Sequence, residues 1–219
     1  MIRNEKMNAT SPTISALITD IGLRAHEQVL VGLAGPPGSG KSTLARDLVD
    51  EINARRQYTA AVLPMDGFHL SNLQLERKGI ASVEGAPETF DVDGFIATLS
   101  RIRSPGRKTV YVPDYSRVLR EPIAASVAIA AETNIIVCEG NYLLLESGEW
   151  KDVWTYLEHA WFLNVEWAIC RQRLTARHIA SGKSVAAASE WVDRSDKGNY
   201  DLIVNGSRTK GARLIHQHD

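Results

Sequence analysis

Residues 29–42 read VLVGLAGPPGSGKS, an apolar run followed by a loop of glycine, proline and serine. The run at 29–34 is uniformly apolar, which is typical of a strand buried on both faces of a parallel sheet. Apolar side chains then recur at helical spacing over residues 41–56, and a second buried strand is predicted at 59–65. A strand, a loop, a helix and a strand in this order form a βαβ unit, so the central sheet is predicted to be parallel.

The rest of the chain continues this alternation of strands and helices. It predicts a three-layer α/β fold with a doubly wound, mostly parallel sheet. Four tryptophans, at positions 150, 154, 161 and 191, are assigned to core packing. Further helices are predicted at 10–28 (capped at Ser11 or Thr13), 93–103, 166–180 and 184–195, and further strands at 108–113 (an edge strand), 123–130, 134–139, 160–165 and 200–204.

The composition excludes several classes of protein. The 219 residues are 44% hydrophobic and 23% charged, which excludes a disordered chain and a coiled coil. Twenty-five Lys and Arg against 26 Asp and Glu argue against bulk attraction to nucleic acid. No apolar run approaches the length that spans a bilayer, no secretion signal is evident, and Cys138 and Cys170 form no CxxC pair. We therefore expect a cytoplasmic protein with reduced thiols and no membrane or nucleic-acid partner.

The loop after the first strand matches the pattern G-x-x-x-x-G-K-[ST] at each fixed position. Glycines let successive backbone N–H groups turn toward a phosphate, and the following helix directs its positive end at the same anion. Lys41 can reach the terminal phosphates and Ser42 can bind Mg²⁺. A glycine-rich turn that fits by chance is disfavoured, because a buried strand precedes the loop and a helix follows it. The predicted nucleotide-binding residues are Gly35, Pro36, Pro37, Gly38, Ser39, Gly40, Lys41, Ser42 and Thr43.

Other motifs narrow the class of nucleotide-binding protein. No Asn is followed by Lys, so the Asn-Lys-x-Asp guanine reader of GTPases is absent from the sequence. The one D-x-x-G, at 91–94, precedes a helix and does not close a buried strand, and no signature of a transport ATPase occurs. These observations argue against a GTPase and against a transport ATPase.

Two acids follow predicted strands, at the sheet edge where ligands of doubly wound folds gather. Asp66 follows the strand at 59–65, so we expect it near the terminal phosphate as a general base. A metal ligand and a turn cap are the alternatives for this Asp-Gly pair. Glu139 closes the strand at 134–139 in the manner of a Walker B acid, and with Ser42 it is a candidate Mg²⁺ ligand.

With these residues assembled, the chain resembles the phosphoribulokinase/uridine kinase/pantothenate kinase family of P-loop kinases, especially bacterial sugar kinases associated with fructose transport. The resemblance covers about residues 29–206. It implies that Asp66 is the base, Glu139 the Walker B acid, and Arg173 and Arg177 the arginines of a lid. Its markers are the phosphate loop and the segments at 65–69, 77–79, 87–91, 112–117, 139–144 and 173–178.

The resemblance also implies a domain organisation: an N-terminal helix (1–28) packed on one kinase domain (29–219), with an acceptor-binding insertion at about 66–130 and a lid at about 171–195. Arg173 and Arg177 stand four apart, hence on one helix face, where they could stabilise charge on a transferring phosphoryl group. A solvated basic helix face is the alternative interpretation.

The acceptor segment departs from the family pattern. Family members often have Tyr-Ser-His where this chain has Tyr115-Ser116-Arg117. Arg117 would suit an acceptor with a carboxylate or phosphate, but it could instead pair with Asp114 or Glu121. The further substrate-binding candidates are His69, Arg77 and Tyr115, each of which could equally be structural.

The leading hypothesis is a kinase that uses ATP and Mg²⁺ to phosphorylate a hydroxyl of a small polar metabolite, with sugars among the candidates. Lys41, Asp66 and Arg173 are its predicted catalytic residues. A pantothenate- or nucleoside-type kinase is an alternative within the class, and a regulatory protein with slow ATPase activity is the alternative outside it. The family resemblance makes a homodimer plausible.

Overall fold

The computed structural model describes residues 12–22, 28–106 and 108–216. Within them the chain alternates strands and helices, with short 3-10 helices at Met65–Phe68 and Gly148–Tyr156 and a π-helical turn at Val192–Asp196. The helices are α1 (Pro12–Ile21), α2 (Lys41–Ala54), α3 (Asn72–Lys78), α4 (Val92–Ile102), α5 (Trp167–Ala180), α6 (Val185–Trp191) and α7 (Lys197–Gly206). The strands are β1 (Val29–Ala34), β2 (Ala60–Pro64), β3 (Val110–Ser116), β4 (Glu121–Ile129), β5 (Ile135–Gly140), β6 (His159–Asn164) and β7 (Arg213–His216).

The central sheet has five strands in the order β2-β5-β1-β6-β7, and every neighbouring pair is parallel. β1 is the middle strand, with β5 and β2 on one side and β6 and β7 on the other. The register sets Leu33 and Pro64 on either side of Glu139, so the carboxyl ends of β1, β5 and β2 are level. This arrangement creates a topological switch point at β1, where doubly wound sheets bind their ligands.

Alternate side chains of β1, β2, β5 and β6 enter two separate cores. Leu30 and Ala34 of β1 pack in one core with α4 and the 3-10 helix at 148–156. Val31 and Leu33 pack in the other core with α1, α2 and α5. The three-layer α/β prediction is therefore confirmed, since helices cover both faces of a parallel sheet.

The strands predicted at 108–113 and 123–130 exist but lie outside the central sheet. β3 and β4 pair antiparallel as a separate hairpin that packs on the 3-10 helix Met65–Phe68. Val110 and Val112 are buried while Tyr111 between them is 61% exposed, so β3 covers the core with one face only. This alternation is the pattern of a half-buried strand and not of an edge strand in a parallel sheet.

The strand predicted at 200–204 is wrong, because these residues belong to α7. Ile203 is fully buried while Leu202 beside it is 37% exposed. Only one residue of this short apolar run therefore faces the core, as expected for a single turn of a helix. The fifth strand is instead β7, which carries one buried residue, Ile215, and therefore gives a weak sequence signal. The sequence pattern did not predict helix α3. The helix predicted at 184–195 is α-helical only as far as Trp191, after which the π-helical turn begins.

Helix α1 confirms an N-terminal helix, and it ends at Ile21, before Gly22 in the left-handed region. Its Leu17 and Ile21 enter the core against α2, and Asp20 accepts a hydrogen bond from Trp161 Nε1 at 2.8 Å. The cap predicted at Ser11 and a continuation through residues 23–27 lie outside the described part of the chain, whereas Thr13 lies within α1 and not at its cap position.

Two glycines allow neighbouring segments to pack closely against the turn that follows β2. A Cβ on Gly67 would lie 2.2 Å from the carbonyl oxygen of Pro113 in the hairpin. A Cβ on Gly140 would lie 2.4 Å from Met65 Cβ. Because neither glycine has a side chain, the hairpin and β5 both press against the turn that carries Asp66.

We expect Gly67→Ala to destabilise the fold by about 1–3 kcal/mol, since the added methyl group meets backbone that cannot shift without moving the hairpin. Urea denaturation measures this free energy of unfolding. Gly198→Ala is the matched control: a Cβ at this position in α7 has no neighbour within 4 Å, so the variant should be neutral or slightly more stable. Equal stability of the two variants would contradict the close approach.

Candidate active site

The loop after β1 is shaped by glycines and packs on α5. Gly38 and Gly40 have φ of 77° and 93°, in the left-handed region that glycine adopts without strain. A Cβ on Gly38 would lie 2.8 Å from the Cys170 carbonyl oxygen. The loop therefore presents backbone, not side chains, at the start of α2, which is the arrangement that binds phosphate.

Lys41, the first residue of α2, is buried, and its Nζ lies 3.5 Å from the Pro36 carbonyl oxygen. Burial lowers the pKa of Lys41, while the nearby carboxylates of Glu139 and Asp66 act to raise it. The ammonium group is thus held at the floor of the site between the loop and two acids.

Ser42 and Glu139 meet beside Lys41, where Ser42 Oγ donates to Glu139 Oε2 at 3.1 Å. Glu139 is only 5% exposed, and burial, followed by the charge of Asp66, raises its pKa to about 7. A hydroxyl and a carboxylate oxygen are ligands that Mg²⁺ prefers. Among the residues described, no group of three or more His, Cys, Asp and Glu is placed to hold a metal. This pair therefore suits an ion that takes its remaining ligands from water and phosphate.

Asp66 stands directly after β2 in the 3-10 turn, and its side chain is 39% exposed to the cleft. Arg117 NH2 lies 4.0 Å from Asp66 Oδ2, at the limit of an ion pair. The two alternative partners of Arg117 are engaged elsewhere: Asp114 Oδ1 accepts from the Tyr115 N–H, and Glu121 accepts from the Asn72 N–H.

Beyond Asp66, the wall of the cleft is formed by residues that are hydrogen-bonded to Glu84. Tyr115 Oη donates to Glu84 Oε1 at 3.1 Å, and Arg120 NH2 donates to Oε2 at 3.2 Å. Burial and the Glu84 carboxylate raise the pKa of Tyr115 to about 12, so its hydroxyl keeps its proton. His69 stacks edge-on against Phe90, with a ring-centroid distance of 4.7 Å.

Both ring nitrogens of His69 have protein partners. Nδ1 lies 2.8 Å from the Leu70 carbonyl oxygen and Nε2 lies 3.3 Å from Thr89 Oγ1. The ring thus ties the wall of the cleft together and offers a ligand its carbon edge more readily than a nitrogen.

Helix α5 and the segment that follows it form the opposite wall. Arg173 NH1 donates to the Ser39 carbonyl oxygen at 3.2 Å, which connects α5 to the phosphate loop. His178 Nε2 lies 2.9 Å from Asp196 Oδ2 in the π-helical turn. Trp191, assigned to the core from sequence, lines the cleft instead, with Lys183 Nζ 4.8 Å from the centre of its ring.

These parts enclose one open cleft of about 490 Å³. Arg77 is not brought into it and lies exposed on α3. The predicted residues that line it are Pro37, Gly38, Gly40, Lys41, Ser42, Thr43, Asp66, His69, Tyr115, Arg117, Arg173 and Arg177. Sequence reasoning missed Arg46, Glu84, Arg120, Asn141, Trp191, Asp196 and Asn199, which also line it. Of these, Asn141 stands two residues after Glu139, and the rest carry no motif that could have marked them.

The fold and the cleft together define a P-loop kinase, and comparison with known proteins agrees. No protein-family model matches the chain. A Schizosaccharomyces pombe protein named "Putative uridine kinase C227.14" is 33% identical over 182 residues, which cover 81% of this chain and 77% of that protein. The chain belongs to the phosphoribulokinase/uridine kinase/pantothenate kinase family of P-loop kinases.

Solved structures support the same assignment. A protein of Silicibacter sp. TM1040 described as a "putative fructose transport system kinase" is 32% identical, with a TM-score of 0.84 over 94% of this chain and 97% of that one. YFH7 of Saccharomyces cerevisiae has a TM-score of 0.83 over 94% of this chain and 99% of its own, and at 19% identity it supports the fold alone. In the described part of the chain, no helix has the length and apolar character needed to cross a bilayer.

The raised pKa of Glu139 predicts a pH-dependent stability difference. A buried carboxyl group with a folded-state pKa of about 7 stabilises the fold below its unfolded pKa of about 4.5, and this contribution is lost as the pH rises to 7. Glu139→Gln removes the titration, so in metal-free protein the variant should gain up to about 3 kcal/mol relative to wild type between pH 5 and 8.

Urea denaturation of both proteins across that pH range measures the difference. Glu149→Gln, at an exposed position in the 3-10 helix Gly148–Tyr156, is the control and should show no such trend. A constant difference between Glu139→Gln and wild type at every pH would show that the carboxylate is not desolvated.

Proposed function

We propose that this protein transfers the γ-phosphoryl group of ATP to a hydroxyl of a small polar metabolite. The oxygen of the acceptor hydroxyl forms a bond to the γ-phosphorus, and the bond from that phosphorus to the bridging oxygen of ADP breaks. ADP leaves with the bonding electrons, and the hydroxyl proton passes to a carboxylate of the protein. Membership in a kinase family supports the reaction class, and the cleft supports the roles of individual residues.

Asp66 is the proposed general base, and its position is the observation that carries the proposal. Its carboxylate is exposed to the same cleft as Lys41 and Ser42, and it is close enough to Lys41 to influence the pKa of that side chain. Within the described residues its one ion-pair partner, Arg117, lies at 4.0 Å, so a substrate hydroxyl can reach the carboxylate. A base so placed contributes about 10²–10⁴ in rate.

Lys41 and the backbone N–H groups of the loop are proposed to bind the phosphates of ATP. Ser42 and Glu139 would hold Mg²⁺, which when bound neutralises part of the phosphate charge. Their hydroxyl and carboxylate oxygens lie 3.1 Å apart.

Arg173 and Arg177 are proposed to complete the site from a lid at about residues 171–195. Both lie on α5 above the phosphate loop and line the cleft. Arginines there would stabilise charge on the transferring phosphoryl group and, on closure, exclude water, which competes as an acceptor.

Replacing Asp66 by Asn tests the base. We expect Asp66→Asn to retain affinity for ATP within about threefold while phosphoryl transfer falls by about 10² or more, because the amide cannot accept the proton. ADP formation in the presence of a panel of polyols, sugars and hydroxy acids measures transfer, and calorimetry measures nucleotide binding.

Asp50→Asn, at an exposed position on the same sheet-flanking helix as Lys41, is the charge-matched control and should behave as wild type. Unchanged transfer in Asp66→Asn would remove the base assignment. ADP formation that no acceptor stimulates would instead favour the alternative function, a nucleotide-dependent regulatory protein with slow ATPase activity.

A further inference from the structure

The charges that line the cleft are strongly unbalanced. Among the described residues that line it, seven are Lys or Arg and three are Asp or Glu. The chain as a whole carries a formal net charge of −1, so the positive charge is concentrated at this site. MgATP, with a net charge of about −2, would leave part of this positive charge without a counter-charge.

Several of these cations have partners within the protein. Arg120 pairs with Glu84 at 3.2 Å, and Arg173 donates to the Ser39 carbonyl oxygen. Lys41 lies beside Glu139 and Asp66, whose charges act to raise its pKa. Lys41, Arg120 and Arg173 therefore already have partners in the phosphate loop, in the nearby carboxylates or in the wall around Glu84.

Arg117 and Arg177 have no carboxylate closer than 4.0 Å among the described residues, a property that Arg46 and Lys183 share. Arg117 reaches Asp66 only at 4.0 Å and its side chain is 57% exposed. Within the described residues, no carboxylate lies within ion-pair distance of the Arg177 guanidinium. Burial, and then the charge of Arg117, lower the pKa of Arg177, while the charges of Asp196 and Asp66 act to raise it. Both arginines also act to lower the pKa of Lys41. Like charges held this close are stabilised when an anion binds between them.

The backbone under Arg117 is held in place. Arg117 begins the turn that joins β3 to β4, and Leu119 N–H donates to Ser116 Oγ at 3.1 Å within that turn. Asn72 at the start of α3 donates its side-chain N–H to the Arg120 carbonyl oxygen at 3.2 Å. The turn is therefore tied to the body of the protein, and the guanidinium extends from a fixed point toward Asp66.

From this arrangement we infer that the acceptor carries an oxyanion, a carboxylate or a phosphate, which Arg117 binds while the acceptor hydroxyl faces Asp66. The inference rests on the proposed kinase function and names the class of its acceptor. The two protein groups are 4.0 Å apart, so one small molecule can contact both. With a hydrogen bond of about 2.8–3.0 Å at each end, the hydroxyl oxygen and an oxygen of the anionic group would lie within about 10 Å of each other. A guanidinium suits this role because its parallel N–H groups match two oxygens of one anion.

The binding of acceptor analogues to protein saturated with nucleotide tests whether the acceptor is anionic, and it does not depend on phosphoryl transfer. The full chain is saturated with Mg²⁺ and AMPPNP so that the phosphate loop is filled, and calorimetry measures the affinity for two matched sets of probes. One set is glycerol, glycerate and glycerol 3-phosphate, and the other is ribitol, ribonate and ribitol 5-phosphate. We expect at least one anionic probe to bind tenfold or more tightly than its neutral counterpart, and the carboxylate and phosphate members show which oxyanion is preferred.

Variants assign the preference to Arg117. Arg117→Gln should abolish the anionic preference while leaving AMPPNP affinity within about twofold. Arg117→Lys, which keeps the charge and loses the paired N–H groups, should retain part of it. Arg101→Gln, an equal change of charge at an exposed position on α4, should bind as wild type does. Equal binding of neutral and anionic probes to wild type, or an anionic preference that persists in Arg117→Gln, would overturn the inference.

Acceptor-dependent ADP formation with the same probes separates this inference from the kinase proposal. Anionic acceptors phosphorylated no better than their neutral counterparts, by wild type and Arg117→Gln alike, would overturn the anionic class and leave the kinase intact. Arg117-dependent anion binding without acceptor-dependent ADP formation would support the oxyanion site and count against the kinase. A general loss of the base would slow neutral and anionic acceptors alike, whereas loss of Arg117 should change their ratio.

Discussion

The burial of the Lys41 ammonium group is the constraint on which the rest of the site depends. A lysine placed at the floor of a protein cleft loses hydration, and the structure offsets this loss with two carboxylates, Glu139 and Asp66. Those carboxylates repel each other, and Asp66 contributes to the raised pKa of Glu139. The protonation of each of the three groups therefore depends on the other two, and their positions are fixed by the backbone that aligns the three chain segments.

The parallel register of the sheet supplies that alignment. Because Glu139 lies opposite both Leu33 and Pro64, the phosphate loop, the Walker B position and Asp66 leave the sheet at the same height. Gly67 and Gly140 then let the hairpin and β5 approach the turn that carries Asp66 without steric conflict. The catalytic proposal consequently depends on backbone packing as much as on the charged side chains themselves.

The strands and the helix around the phosphate loop could be predicted from the sequence because the signals that mark them are local. β1, the loop and α2 are consecutive in the chain, and a strand that closes on an acid is visible in one short window. Even so, a run of three apolar residues at 202–204 was misread as a strand, because a run this short fits a helix turn and a strand equally well. β7, with a single buried residue, gave no comparable signal.

The acceptor half could not be predicted in the same way, because its contacts join distant segments. Glu84 meets Tyr115 and Arg120 across more than 30 residues, and Trp191 lines the cleft at the end of α6, far from the phosphate loop in sequence. The phosphate loop is one continuous segment of the chain, whereas the wall around Glu84 is assembled from a hairpin and separate loops. If the proposed function holds, a change at Arg117 would alter which acceptor is bound and leave the phosphate loop intact.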